Sequence, residues 1–494
     1  MPEHLRALIF ILFLSAVFFA YARRFACVIT DEKSFTRRRN LWFVLTLVAF
    51  LSHNFWLYSL VALVLIIYAN RRETNPPALF FFILFVVPVA SNPIPGMGLI
   101  NYLFDLSHPR ILALFILLPA FFSLIRQSDI SRFGRFWPDK ALAAYFLLEI
   151  ILAMRDTTLT DTLRQAFYLF IDIFLPYFVI SRSLRNMQAF RDALLSLVLA
   201  LMVLALIAIF ESYRHWLLYQ PLIGVLGLEQ GMIEFLPRDG MLRAIASAGH
   251  PIPLGYLMVI GLGFYLFIQS SIKGKIIRRL GVTLLIGGLI AALSRGPWVG
   301  AVVLLVIFIA TGRYAARRLI SLVLATLLAL PIISVLPGGE RMINLLPFIG
   351  STEKGNIEYR EDLITNSMIV IQRNPWFGSG DTLRAPEMEA MRQGQGIIDI
   401  VNTYIGVALR AGFVGLGVFV AFFALTLLDI FHAMRSISDK DSEDYLLGRV
   451  LLATQVAILL IIFTASSIFH ISLMYWSVAS LGVAYAQMIR KKVA

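Results

Sequence analysis

Runs of apolar residues close to the length that crosses a lipid bilayer recur from one end of this chain to the other. They lie at 5–22, 41–69, 78–90, 111–125, 141–154, 167–180, 193–210, 253–268, 280–293, 298–310, 319–336, 404–431, 450–463 and 471–488. A bilayer core takes about 20 helical residues, so these runs predict about fourteen spans. The window at 41–69 holds Ser52, His53 and Asn54 near its middle and reads either as one long span or as two short passes. The chain is 59% hydrophobic and only 15% charged, and its mean hydropathy is +0.80. A soluble protein of this length could not hide that much apolar surface, which excludes the soluble classes. No run alternates in the manner of a barrel strand, so helices must supply the spans. The predicted fold is all-α, a polytopic transmembrane helix bundle. No linker, low-complexity tract or internal repeat divides it, so 1–494 reads as a single membrane domain.

Two connections are longer than the rest. The larger, 338–402, is crowded with Arg, Glu and Asp, and the smaller is 211–250. The formal charge of +13 would suit a nucleic-acid partner, but its distribution argues for topology instead. Basic clusters lie at 23–24, 37–39, 71–72, 182–191, 273–279, 313–318 and 490–492. From Arg182 onward, placing them on the cytoplasmic side puts both long loops outside. The first span, with Arg6 before it and Ala20-Tyr21-Ala22 at its end, imitates a signal peptide and is read as a retained helix. Its parity leaves the side of the N-terminus open. Cys27 is the only cysteine, so no disulfide forms within the chain.

Within the larger loop, 362–372 has the apolar spacing of an amphipathic helix, either lying on the membrane surface or packed on the bundle. Asn374-Pro375 ends it, and Gly378-Ser379-Gly380 makes a corner. The smaller loop holds Trp216, Tyr219 and a Pro-Arg-Asp-Gly turn at 237–240.

Three arginines stand out. Arg243 lies where the chain re-enters the membrane; the plain reading is an interfacial residue on lipid headgroups. Arg295, in Ser294-Arg295-Gly296-Pro297-Trp298, occupies a tight turn between two apolar helices with almost no loop to solvate it, which favours a polar cavity or partner. Arg360 sits in Glu358-Tyr359-Arg360-Glu361-Asp362, where a loop salt bridge is the plain reading. Taken together on one membrane face they form a candidate anion clamp, because guanidinium matches phosphate oxygens. Glu211, Glu358, Glu361, Asp362, Asp381 and Asp399 are carboxylates near enough in sequence to supply a general base. His250, before Pro251, is a further candidate, with a structural role as its plain reading. No spacing signals a metal site, and no glycine loop signals a nucleotide.

The order of these motifs resembles the O-antigen ligase and O-antigen polymerase superfamily of bacterial envelope proteins. The resemblance runs from Arg243 and His250-Pro251-Ile252-Pro253-Leu254-Gly255 through Ser294-Arg295-Gly296 and Arg360. It continues through Asn374-Pro375-Trp376-Phe377-Gly378-Ser379-Gly380 and Asn402-Thr403-Tyr404-Ile405 to Gly412-Phe413-Val414-Gly415-Leu416, covering roughly 242–416. It implies a glycosyltransferase at the periplasmic face of the bacterial inner membrane, taking a glycan from an undecaprenyl-diphosphate carrier with no cofactor or metal. Arg243, Arg295 and Arg360 would bind the pyrophosphate, the leaving group whose charge needs stabilising. Ligases of the family carry a His-Asn pair where this chain reads Val401-Asn402, and valine moves no proton. That departure favours a polysaccharide polymerase over a ligase to lipid A-core or another acceptor. Asp399 then leads the candidates for catalytic base, with Glu358 and His250 behind it. A lipid-linked glycan flippase is the rival from a different class, although transporters typically show the repeated halves this chain lacks.

Overall fold

The computed structural model describes the whole chain except Met97, Leu99, 229–235, Asp239, 336–353, 394–395, Phe469 and Ala494. The opening quarter of the larger loop therefore lies outside the described residues, as does Asp239 of the 237–240 turn.

The apolar windows fall on helices: α1 (Glu3–Ile29), α2 (Glu32–Leu51), α3 (Phe55–Asn70), α4 (Pro76–Ile83), α5 (His108–Ile125), α6 (Trp137–Asp156), α7 (Leu159–Ser183) and α8 (Met187–Arg214). There follow α9 (Pro251–Ser271), α10 (Lys275–Ala291), α11 (Arg295–Ala310), α12 (Ala315–Val335), α13 (Lys354–Arg373), α14 (Pro386–Glu389), α15 (Thr403–Arg435), α16 (Glu443–Thr464) and α17 (His470–Val493). Seven are long and apolar enough to cross a membrane among the described residues: α1, α5, α7, α8, α9, α15 and α16. The chain is a helical, multi-pass membrane protein.

Local chemistry explains the boundaries. Asn54 caps α3, its side chain accepting from the backbone N–H of Trp56 at 2.8 Å and Leu57 at 3.3 Å. That cap splits the 41–69 window into two helices, α2 and α3. The 78–90 window departs from expectation. Only α4 is helical there, about 12 Å of rise, too short to cross alone. The backbone that follows is irregular, yet Leu84 to Val87 are 0–2% exposed. Irregular backbone survives at membrane depth only when protein surrounds it. The all-α expectation also needs amending by two short antiparallel hairpins. One joins β1 (Ser91–Pro95) to β2 (Tyr102–Ser107) with Ser91 opposite Ser107 and Pro95 opposite Tyr102; the other joins β3 (Pro237–Arg238) to β4 (Met241–Leu242).

The core sits around α8 and α9, which are buried along most of their length and pack on each other and on α10. Contacts between chain-distant segments define two ends of the bundle. One end gathers Arg38 with Glu73 and Asp192, Arg191 with Glu443, and Arg313 with Asp441. The opposite end carries both hairpins and what is described of both long loops. The N-terminus belongs to that second end, because Trp216 Nε1 donates to Glu3 Oε1 at 2.9 Å.

Candidate active site

The site is built around a break in α15. Gly412 leaves helical geometry at φ 64°, ψ −168°, which would strand backbone N–H groups in apolar surroundings. The segment after α13 fills the gap. Pro375 O accepts from Phe413 N at 2.7 Å, Trp376 O accepts from Val414 N at 3.1 Å, and Ser379 N donates to Leu409 O at 3.2 Å. Backbone meets backbone so closely that only glycine fits. A Cβ on Gly412 would lie 2.3 Å from the Trp376 carbonyl, and one on Gly378, itself at φ 57°, would lie 2.4 Å from Leu409 O. Two motifs far apart in sequence are thus the halves of one joint.

The joint leaves Arg410 at the end of the first segment of α15, with Nη2 2.9 Å from Glu149 Oε1 and 3.4 Å from the Tyr145 hydroxyl. The start of the same helix is fixed by Asn402, whose side chain accepts from Tyr404 N at 2.9 Å and Ile405 N at 3.2 Å. Thr403 Oγ1 donates to Ala465 O at 2.9 Å and so ties α15 to the stretch after α16.

Between these elements lies a polar cavity of about 750 Å³, walled by α6, α7, α15, α17 and the residues around Asp399 and Ser466. The first hairpin borders it through Tyr102 and is held in place by two arginines. Arg164 lies 3.7 Å from the Tyr102 ring centroid and donates to the carbonyls of Leu103 and Tyr102 at 3.0 and 2.8 Å. Arg110 donates to Asp105 O at 2.6 Å and pairs with Asp172 at 2.8 Å. Among the described residues no group of three or more His, Cys, Asp and Glu side chains is gathered for a metal ion.

Of the residues expected from sequence, Asp399 lines the cavity. Its Oδ1 accepts from Ser466 Oγ at 2.6 Å and its carbonyl from the Tyr359 hydroxyl at 3.0 Å. Arg243 and Arg295 come together at the turn before α11. Arg243 Nη2 donates to Ser294 Oγ at 3.0 Å, and the neighbouring backbones join through Ala244 N and Ala291 O at 2.9 Å. This turn abuts the cavity rim, since a Cβ on Gly296 would lie 2.5 Å from Thr464 Oγ1, two residues before Ser466. His250 caps α9, its Nδ1 accepting from Ile252 N at 3.3 Å. Burial first, and the Arg243 charge second, push its pKa down to about 4, so at neutral pH it is uncharged. Arg360 and Glu358 lie on α13 and are not among the cavity's lining residues; Glu358 is exposed.

The other carboxylates sort clearly. Glu211 is fully buried and accepts three backbone N–H groups, from Leu218 at 2.9 Å, Ile245 at 3.0 Å and Ala246 at 2.8 Å, a pin for the re-entering chain. Glu361, Asp362 and Asp381 are exposed. Helix α13 packs Leu363, Val370 and Ile371 onto Met388 and Met391 and onto Ala408 and Leu409 of α15, while Ile364, Met368 and Ile369 face outward. Of the two readings of the amphipathic stretch, the packing on the bundle is observed, and the opposite face is apolar and exposed. Sequence reasoning passed over Arg410 and Glu149. Their signal was present, because each is a charge inside an apolar window, where charges are costly and tend to face cavities.

No curated protein matches the chain. Residues 280–420 match a family model, Wzy_C, described as O-antigen ligase. The matched stretch holds Arg295, Arg360, Asp399, the joint at Gly412 and Arg410; Arg243 and His250 precede it. That stretch, which supplies one wall of the cavity, the turn before α11 and the kinked helix α15, is similar to the O-antigen ligase family and supports the resemblance read from the sequence.

Proposed function

We propose that this protein is a polysaccharide polymerase, transferring glycan from an undecaprenyl-diphosphate donor to a growing lipid-linked glycan. The observation that carries this reading is the polar cavity holding Asp399, with the Arg243–Arg295 turn at its rim. The acceptor hydroxyl gives its proton to Asp399 as its oxygen attacks the anomeric carbon. The bond from that carbon to the phosphate oxygen breaks, and the lipid diphosphate leaves with the electron pair. Arg243 and Arg295 stabilise the charge that develops there, with Arg360 as a third contact from α13. Val401 stands where ligases of the family carry histidine, so a base other than the usual ligase histidine is needed. That supports polymerisation over ligation to lipid A-core. The partners are the donor, a glycan acceptor and membrane lipid.

In the same reading the ion-paired end is cytoplasmic by its basic residues and the cavity end is periplasmic in the bacterial inner membrane. The single membrane domain crosses about fourteen times, with loops 211–250 and 338–402 outside.

The test is a reconstituted assay with purified undecaprenyl-diphosphate oligosaccharide, comparing wild type with Arg295→Ala and Arg243→Ala. Wild type lengthens the glycan and releases lipid diphosphate. Each variant loses roughly 100-fold or more in rate, the usual effect of removing one preorganised charge stabiliser. Absence of both chain growth and lipid diphosphate release with wild type would sink the proposal.

A further inference from the structure

We infer that the cavity accepts the neutral or amino-sugar part of a glycan and turns away uronic acids and other anionic sugars. This rests on the glycan-transfer reading for the nature of the ligand and adds its charge class. Four carboxylates line the cavity, Glu149, Asp161, Asp172 and Asp399, against two arginines, Arg164 and Arg410, among the described residues. Each arginine is already engaged. Arg410 holds Glu149 at 2.9 Å. Arg164 pairs with Asp161 and directs two further donors to the Leu103 and Tyr102 carbonyls. Arg110, behind the wall, holds Asp172 at 2.8 Å. Asp399 instead takes a hydroxyl, Ser466 Oγ.

The wall therefore keeps one carboxylate more than it has guanidinium partners for, and its charges act over the few ångströms of the cavity, within a Debye length. A sugar carboxylate entering there meets Asp399 and a wall with more carboxylates than guanidinium groups, each lining arginine being already paired with a carboxylate of its own. A hydroxyl or ammonium finds the second oxygen of Asp399 as an acceptor. Next to it runs a chain of hydroxyls suited to sugar, Thr403 to Ser467 at 2.9 Å and Ser467 to Tyr475 at 3.3 Å. The rim arginines, Arg243 and Arg295, are not among the cavity's lining residues. The two regions would thus sort one substrate by charge, diphosphate at the rim and uncharged or cationic sugar inside.

The measurement is calorimetric titration of the protein in lipid nanodiscs with three probes. They are the N-acetylglucosamine tetramer, its deacetylated ammonium form and the galacturonic acid tetramer. The first two should bind at least about tenfold more tightly than the third, and Asp399→Asn should shrink that gap to about threefold or less. Equal or tighter binding of galacturonate by wild type overturns the inference. So does a gap unchanged in the variant, or no binding of any probe. A donor carrying a uronic-acid glycan separates this from the transfer reading. Efficient growth from it overturns the charge preference and leaves glycan transfer standing. No growth from any donor, with the binding preference intact, removes the transferase and leaves the preference.

Discussion

The two ends of the bundle handle buried charge in opposite ways. At the basic end Arg38 is 1% exposed and bonded to two carboxylates, Glu73 at 2.7 Å and Asp192 at 2.6 Å, while Thr30 and Asn75 fill the remaining positions on Asp192. Arg182 and Asp139 repeat the pattern at 2.6 Å, with the Tyr177 hydroxyl donating to the same carboxylate. At the cavity end the equivalent pair is lopsided, with the Glu149 side chain 2% exposed and that of Arg410 52% exposed. The same two side-chain types make a closed strut in one place and one wall of a chamber in the other. What differs is whether protein or an open cavity meets the guanidinium.

Breaking a closed strut should give the largest effect. Asp192→Ala leaves the buried Arg38 with Glu73 as its one carboxylate and removes an acceptor from Thr30 and Asn75. The expected loss is about 3–5 kcal/mol, as for other buried pairs stripped of one partner. Thermal unfolding in detergent would show it, and a shift of only a degree or two would mean that water reaches this end as well. Next comes Asp399→Asn, which touches no ion pair in the described residues. It should cut glycan transfer roughly 100-fold, the scale of a general base, with little change in unfolding temperature. A fall in stability matching the fall in activity would recast Asp399 as another strut.

A third change tests the joint that shapes the cavity. Gly412→Ala puts a Cβ 2.3 Å from the Trp376 carbonyl at a left-handed φ, and about 2 kcal/mol or more should be lost, with transfer falling alongside. Gly417→Ala, with open space around it on the same helix, is the control and should be neutral or slightly stabilising. Thermal unfolding of the two variants side by side checks this.

The joint also marks how far sequence could reach. Apolar length and the polar break at Ser52-His53-Asn54 made most helices legible, because helix formation is written in neighbouring residues. Both halves of the joint, 374–380 and 412–416, were visible as motifs, yet nothing local says that one inserts into the other. The hairpin at 91–107 and the irregular 84–90 stretch were hidden for the same reason: distant arginines and surrounding helices hold them. Arg243 and Arg295 were singled out separately, and Ser294 is what brings them to one turn. Arg410 and Glu149 broke the hydropathy of their windows, and weighing those breaks as heavily as the polar loop would have located the cavity.

A smaller effect follows at the lopsided pair itself. Glu149→Gln leaves Arg410 facing the cavity, where water solvates it, so about 1 kcal/mol or less should be lost against the several expected at Asp192. If the two cost the same, the contrast between the ends collapses, and matched denaturation curves would reveal it.

His250 shows a third treatment, in a half-buried base, neutralisation without an ion pair. Its folded pKa of about 4 lies below the 6.5 of an unperturbed histidine. The unfolded chain therefore binds the extra proton first as pH falls. The contribution of this site to stability is full above about pH 6.5 and is lost progressively toward pH 4. His250→Asn keeps a side chain able to cap α9 and removes the titration. Between pH 7.5 and 5 the wild type should lose a few degrees of unfolding temperature more than the variant, with the two curves parallel above pH 7. Arg243 should steepen the wild-type loss, because its charge also disfavours imidazolium. Parallel curves across the whole range would mean that His250 is solvated and free to protonate, and the cavity end would then be wetter than its packing indicates.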